Sequence, residues 1–236
     1  MRKLVLLAIL AIAAAVLPAA LASAATRAAN PAANPAAEAV QAGPTADQIL
    51  AKVASCKQIS NGKYKTDEDS GSATVPVCDA GKAVFWKADM DIDCDGQRTT
   101  ECNENTDCCF QPDTAFPQSD GKALNAAKLP YIVVPSSSSI WNYENSGLRG
   151  GGSCAVIYNG KVEYAVIGDT GPNKIIGEAS YATAKDLGIN PDPKNGGVDS
   201  GVTYVCFKNS AVDPIEDHSA ATGTGEKLAS AFVGGN

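Results

Sequence analysis

Two acidic residues in the stretch VEYAVIGDTGPNKIIGEASYATAKDLG (162–188) have the types and surroundings that proton-transfer chemistry needs. Asp169 stands between Gly168 and Gly171, at the end of a β-branched, alternating run (162–167) that reads as a strand. Glycines on both sides of a carboxylate let a substrate come close to the backbone. Glu178 follows nine residues later beside Gly177, at the start of a segment of helical composition, 179–187, with Gly188 placed as its C-cap. A carboxyl at a strand end and another at a helix start can face each other across a cleft as a general acid and base. The plainer reading is that Asp169 caps a turn and Glu178 favours the helix N-terminus.

A second acidic set precedes this one. From Ala83 to Asp93 the chain alternates, with Val84, Trp86, Ala88, Met90 and Ile92 on one side and Lys87, Asp89, Asp91 and Asp93 on the other. Period-two spacing puts the three aspartates on one face of a strand, either lining an anionic groove or facing bulk water. Asp91-Ile92-Asp93-Cys94-Asp95-Gly96 also matches the first half of a calcium loop, but Cys102 stands where the bidentate glutamate belongs.

The elements that must position these residues are short. Thr45 with Gln48 makes a capping box ahead of Ala46, Ile49, Leu50 and Val53, so a short helix should end near Cys56. Residues 57–71 and 97–119 read as loops. Residues 131–134, 154–158, 162–167 and 202–207 read as strands, and Asn159-Gly160 signals a two-residue type I′ hairpin. Beyond Ser210 the tail is polar and rich in glycine and alanine, with an end expected to fray. The four serines 136–139 form a turn; a single histidine, His218, some eighty residues away supports no serine triad.

Arg2 and Lys3, an apolar run over 4–17, and small residues through Ala25 fit a secretory signal peptide. Residues 1–24 are therefore read as signal, 25–44 as an Ala/Pro-rich leader carrying AANPAANPAA, and 45–236 as one catalytic domain. Removing Arg2 and Lys3 leaves 17 basic against 26 acidic residues, a net charge of −9. That balance argues against nucleic acid, which demands a basic surface, and no later apolar stretch is long enough for a membrane. All eight cysteines follow the leader, an even number in an exported chain, which implies up to four disulfides. The adjacent Cys108 and Cys109 are expected to take different partners. Zinc is disfavoured, since no Cys-x-x-Cys pair occurs and His218 stands alone. The fold class is mainly β with a few short helices, a single-domain small β-barrel stapled by disulfides.

FWKADMDIDCDG (85–96), LPYIVVPSS (129–137) and above all YAVIGDTGPNKIIGEASYATAKDLG (164–188) resemble the chitosanases of glycoside hydrolase family 75. The resemblance implies a secreted, monomeric endo-chitosanase that cleaves β-1,4 bonds of chitosan with inversion and without a cofactor. It implies Asp169 and Glu178 as the catalytic pair; a helix N-terminus favours ionised Glu178, but burial or a nearby Asp raises its pKa, so Glu178 is read as acid and Asp169 as base. A cleft lined by Asp89, Asp91 and Asp93 would then attract the cationic polymer. The GDTG strand end also resembles that of double-psi β-barrels. Two other classes stay open: a non-catalytic, expansin-like polysaccharide-binding module, and a calcium-stabilised extracellular structural protein.

Overall fold

The computed structural model describes residues 43–235. The signal peptide and nearly all of the leader lie outside the described residues. The Thr45 hydroxyl accepts from the Gln48 N–H while the Gln48 side chain accepts from the Thr45 N–H, so the capping box starts helix α1 (Ala46–Lys52) as expected. Two short strands follow, β1 (Lys57–Gln58) and β2 (Cys78–Asp79), and then β3 (Ala83–Asp93), with the bounds its alternation implies. The remaining strands are β4 (Tyr131–Pro135), β5 (Ser153–Tyr158), β6 (Lys161–Gly171), β7 (Glu178–Ser180) and β8 (Val198–Phe207).

Six of these close on themselves in the order β3-β7-β4-β6-β5-β8, with β8 returning to β3, while β1 and β2 extend β3 at its start. The barrel mixes parallel pairs (β3–β7 and β4–β6) with antiparallel ones. Closure leaves none of the six as an open edge. Its interior takes the apolar face of β3 (Val84, Trp86, Ala88, Met90) with Ile132, Ile167, Ala179 and Tyr204. Trp86 stacks on Tyr204 with ring centroids 5.3 Å apart and meets Trp141 edge-on at 6.2 Å. Asn159 and Gly160 both have positive φ, 47° and 77°, as the I′ turn between β5 and β6 requires.

Two local expectations are corrected. Helix α2 runs Tyr181–Leu187 with Ser180 as its N-cap, so Glu178 lies on a strand and not at a helix start. The serine wins because its hydroxyl accepts the Thr183 N–H and donates to the Leu129 carbonyl. The C-terminal tail, read as polar with a fraying end and given no helix, forms the longest helix among the described residues, α3 (His218–Gly234), capped by Asp217. Its glycines and threonine lower helix propensity, but Ala221, Gly225, Ala229 and Phe232 make one buried face. A Cβ on Gly225 would lie 2.3 Å from the Tyr164 ring, so the glycine is what lets α3 lie flat on β6. Tertiary packing overrides the local signal. The lone histidine belongs to the same docking: His218 Nε2 is 2.9 Å from Glu163 Oε1 on β6.

Three disulfides, Cys56–Cys78, Cys94–Cys102 and Cys154–Cys206, pin the fold. The third joins register partners on β5 and β8; the second clamps the chain just beyond Asp93. Cys108 and Cys109, expected to pair with different partners, do not, because the other six cysteines are already paired with one another.

Candidate active site

Strand β4 is the organiser of the site. Val133 is the register partner of Asp169 on its parallel neighbour β6 and of Glu178 on its antiparallel neighbour β7. Register partners project to the same face of a sheet. Asp169 and Glu178 therefore stand on one face, two strand spacings apart, or about 9–10 Å between backbones. The Glu178 carboxyl leans back across β4: its Oε2 lies 2.6 Å from where a Cβ on Gly171 would be. Gly171 is the gap that receives it.

A bulge sets the face. Ile132 pairs with Ile167 but Val133 pairs with Asp169, so Gly168 is an extra residue in β6. Ile167 faces the barrel interior, and regular alternation would send Asp169 there too, whereas one inserted residue turns it out. Gly168 is required at that point, since a Cβ would meet Tyr131 at 2.6 Å and Leu124 at 2.7 Å.

Outside the barrel wall lies an open cleft of about 410 Å³, lined by Asp93, Asp95, Asp107, Asp169 and Glu178 together with Cys108 and Cys109. None of its lining residues is basic. The two candidate catalytic carboxyls differ in their surroundings. Asp169 is buried, and its Oδ1 accepts the N–H groups of Ala115 (2.8 Å) and Thr170 (2.7 Å). Burial raises its pKa above the usual carboxylate value, and those two donors hold it back down. Glu178 has no such donors among the described residues; burial first, then the charges of Asp91, Asp95 and Asp169, push it up to about 7. Glu178 thus stands on β7 ahead of the Ser180 cap, outside the first turn of the helix.

The three aspartates of β3 do not share one environment. Asp93 borders the cleft with Glu178 and Asp169, and its Oδ1 accepts the Asp95 N–H at 2.6 Å. Asp91 is the register partner of Glu178 and half-buried. Asp89 is only 4% exposed, beneath Gly177, and its Oδ1 is without a hydrogen-bond partner among the described residues. Asp67, Asp89 and Asp91 bring oxygens within 4.8 Å of one another, whereas Asp91, Asp93 and Asp95 form no such cluster among the described residues. The carboxyls of the calcium-loop motif diverge: Asp95 Oδ1 is taken by the Gln111 N–H instead. Residues 95 and 107–109 enter the cleft from the disulfide-pinned loop, where sequence periodicity is silent. The one signal for Asp95 was its place two residues beyond Asp93.

The sequence and this geometry can be set beside known proteins. Residues 90–231 match the model described as fungal chitosanase of glycosyl hydrolase group 75. Endo-chitosanase C of Aspergillus oryzae is 30% identical over 178 residues, covering 72% of this chain and 44% of that protein. Endo-chitosanase B of Aspergillus oryzae is 32% identical over 133 residues, 53% of this chain and 55% of that one. The chain thus spans about half the length of these relatives. Among solved structures, Streptomyces papain inhibitor aligns over 52% of this chain and 94% of its own at 18% identity with a TM-score of 0.32, a likeness that carries no argument about the site. The stretch holding Asp169, Glu178 and their cleft lies within the matched 142 residues, and on that match the chain belongs to the chitosanase family of glycosyl hydrolase group 75.

Proposed function

We propose that the protein is an exported, monomeric endo-chitosanase that hydrolyses β-1,4 bonds between glucosamine residues with inversion. The observation that carries this is the placing of Asp169 and Glu178 on either side of Val133, on one face, in an acidic cleft lined by no Lys or Arg. A chain of ammonium-bearing sugars is attracted to such a cleft. Glu178, with its pKa at about 7, is protonated in weak acid and gives its proton to the glycosidic oxygen. Asp169, its charge held by two backbone donors, takes a proton from the water that attacks C1 from the opposite face. Inversion needs roughly 6.5–9.5 Å between the carboxyls. Two strand spacings, shortened by the lean of Glu178, suit that requirement.

Of the three β3 aspartates, Asp93 is the direct substrate contact and Asp91 acts through its charge on Glu178. Asp89 supports both from beneath. An expansin-like binding surface has less to stand on: Trp86 and Trp141 are buried, and among the described residues the large exposed hydrophobic is Ile59.

The test is reducing-end release from chitosan, with the anomer of the fresh product followed by NMR. The α-anomer is expected; a β-anomer rules out inversion, and no release rules out the activity. A parallel run with chelator is expected to be unchanged. Loss of activity there would instead point to a metal at Asp67–Asp89–Asp91 or at Asp107–Cys108–Cys109, the two groups whose ligand atoms lie within 4.8 Å of one another among the described residues.

A further inference from the structure

We propose that Cys108 and Cys109 close into a disulfide between adjacent residues, forming a redox-sensitive wall of the cleft that holds Asp95 and Asp107 in place for substrate. The proposal rests on reading this cleft as the substrate site. Three observations carry it. The two sulfurs are exposed and lie 3.2 Å apart. Each of the other six cysteines is engaged in a bridge of its own, so within this chain these two have only each other. Both residues line the cleft that holds Asp169 and Glu178.

The surrounding hydrogen bonds connect this pair to the acidic wall. The Cys109 N–H donates to Asp107 Oδ1 (2.9 Å), and the Cys109 carbonyl accepts from the Gln111 side chain (3.1 Å). Gln111 in turn donates its backbone N–H to Asp95 Oδ1 (2.6 Å) and accepts from the Gly96 N–H (2.8 Å). A ring closed at 108–109 therefore fixes the turn from which Asp95 and Asp107 are held. The Cys109 thiol is raised in pKa first by its hydrogen bond with Cys108, and Asp107, Cys108 and Cys109 bring ligand atoms within 4.8 Å of one another, so a soft metal is the competing occupant that the test must separate.

Closure balances as a thiol–disulfide exchange with a small disulfide oxidant such as oxidised glutathione. One cysteine thiolate attacks the oxidant, whose S–S bond breaks and releases one thiol. The neighbouring thiolate then displaces the second, and the two hydrogens of the cysteine pair end on the two released thiols. Adjacent Cα atoms are about 3.8 Å apart, shorter than the usual disulfide span of roughly 4.4–6.8 Å, so this bridge is strained and the most easily reduced of the four.

The exported chain, prepared without reductant and alkylated under denaturing conditions, decides the first part. Trypsin should release 88–98 and 99–122 joined through Cys94–Cys102, lighter by two hydrogens than the dithiol form and free of alkylating label. Two labelled thiols at 108 and 109, a bridge to another cysteine, or thiols protected by a soft metal that a chelator strips away would each overturn it. The second part is kinetic. Mild reduction that frees these two thiols should raise KM for chitosan about tenfold, equivalent to about 1.4 kcal/mol, with kcat nearly unchanged. The double variant Cys108→Ser/Cys109→Ser should match the reduced enzyme and ignore reductant; circular dichroism checks its fold. Equal KM in all three states overturns the wall. Failure of the catalytic reading is seen separately, as full turnover in Asp169→Asn, and leaves the peptide masses to be judged alone.

Discussion

Strand β3 carries aspartates at 89, 91 and 93 on one face, and its two ends put them to different use. At the C-terminal end Asp93 opens onto the cleft beside Asp95, Asp169 and Glu178. Two pleats earlier Asp89 is sealed beneath Gly177, close to Asp67 and Asp91, with an oxygen that finds no donor. The same residue type at the same periodicity gives a partly buried carboxyl that borders the cleft at one end and one sealed away from it at the other. Desolvation raises both, Asp89 to about 8 with Asp91 as the next cause and Asp93 well above the usual carboxylate value with Asp95 as the next cause. Asp91 stands between, touching the buried cluster and setting the charge felt by Glu178. Placement at the cleft, more than sequence spacing, separates the two aspartates.

That contrast is broken most severely by neutralising the cleft pair. Asp169→Asn and Glu178→Gln should each lower turnover by about 10²–10⁴-fold, the usual worth of a positioned proton-transfer group, with the melting curve hardly moved. Near-normal turnover in either variant would remove that residue from the mechanism. A milder break is Gly171→Ala. Its new methyl would displace the Glu178 carboxyl, a flexible side-chain end, so turnover should fall by about 10-fold or more while stability stays near wild type. A crystal structure of the variant with Glu178 unmoved would refute this account.

At the buried end the readout is stability. The folded pKa of Asp89 lies above its unfolded value, so its contribution to stability is complete below the unfolded pKa and is lost as pH rises towards about 8. Asp89→Asn should therefore gain on the wild type between pH 4 and pH 8, by an amount on the order of a few kcal/mol, seen as a widening difference in Tm. A constant difference would mean that Asp89 does not titrate in this range.

The smallest effect sharpens the link between the two ends. Asp91 is the foremost charge raising Glu178. Asp91→Asn should move the alkaline limb of the activity profile to lower pH without a comparable loss of kcat at its optimum. An unmoved limb would mean that the acid is not Glu178.

The sequence by itself located the five longer strands, β3, β4, β5, β6 and β8, while the short β1, β2 and β7 escaped it. Alternation placed β3 to the residue, Asn-Gly marked the β5–β6 turn, and the glycine-flanked carboxylates picked out Asp169 and Glu178. These signals are local, because side-chain period and turn conformation are written within a few residues. What only the tertiary structure decided is relational. The Gly168 bulge turns Asp169 off the barrel interior, and Ser180 takes the helix cap and leaves Glu178 on a strand across β4. Alanine and glycine side chains become a docking face for α3 only because Tyr164 is there to receive them. Asp89 and Asp93 read alike from one strand, and only the chain folded over them decides which borders the cleft, since that depends on neighbours that the local pattern does not contain.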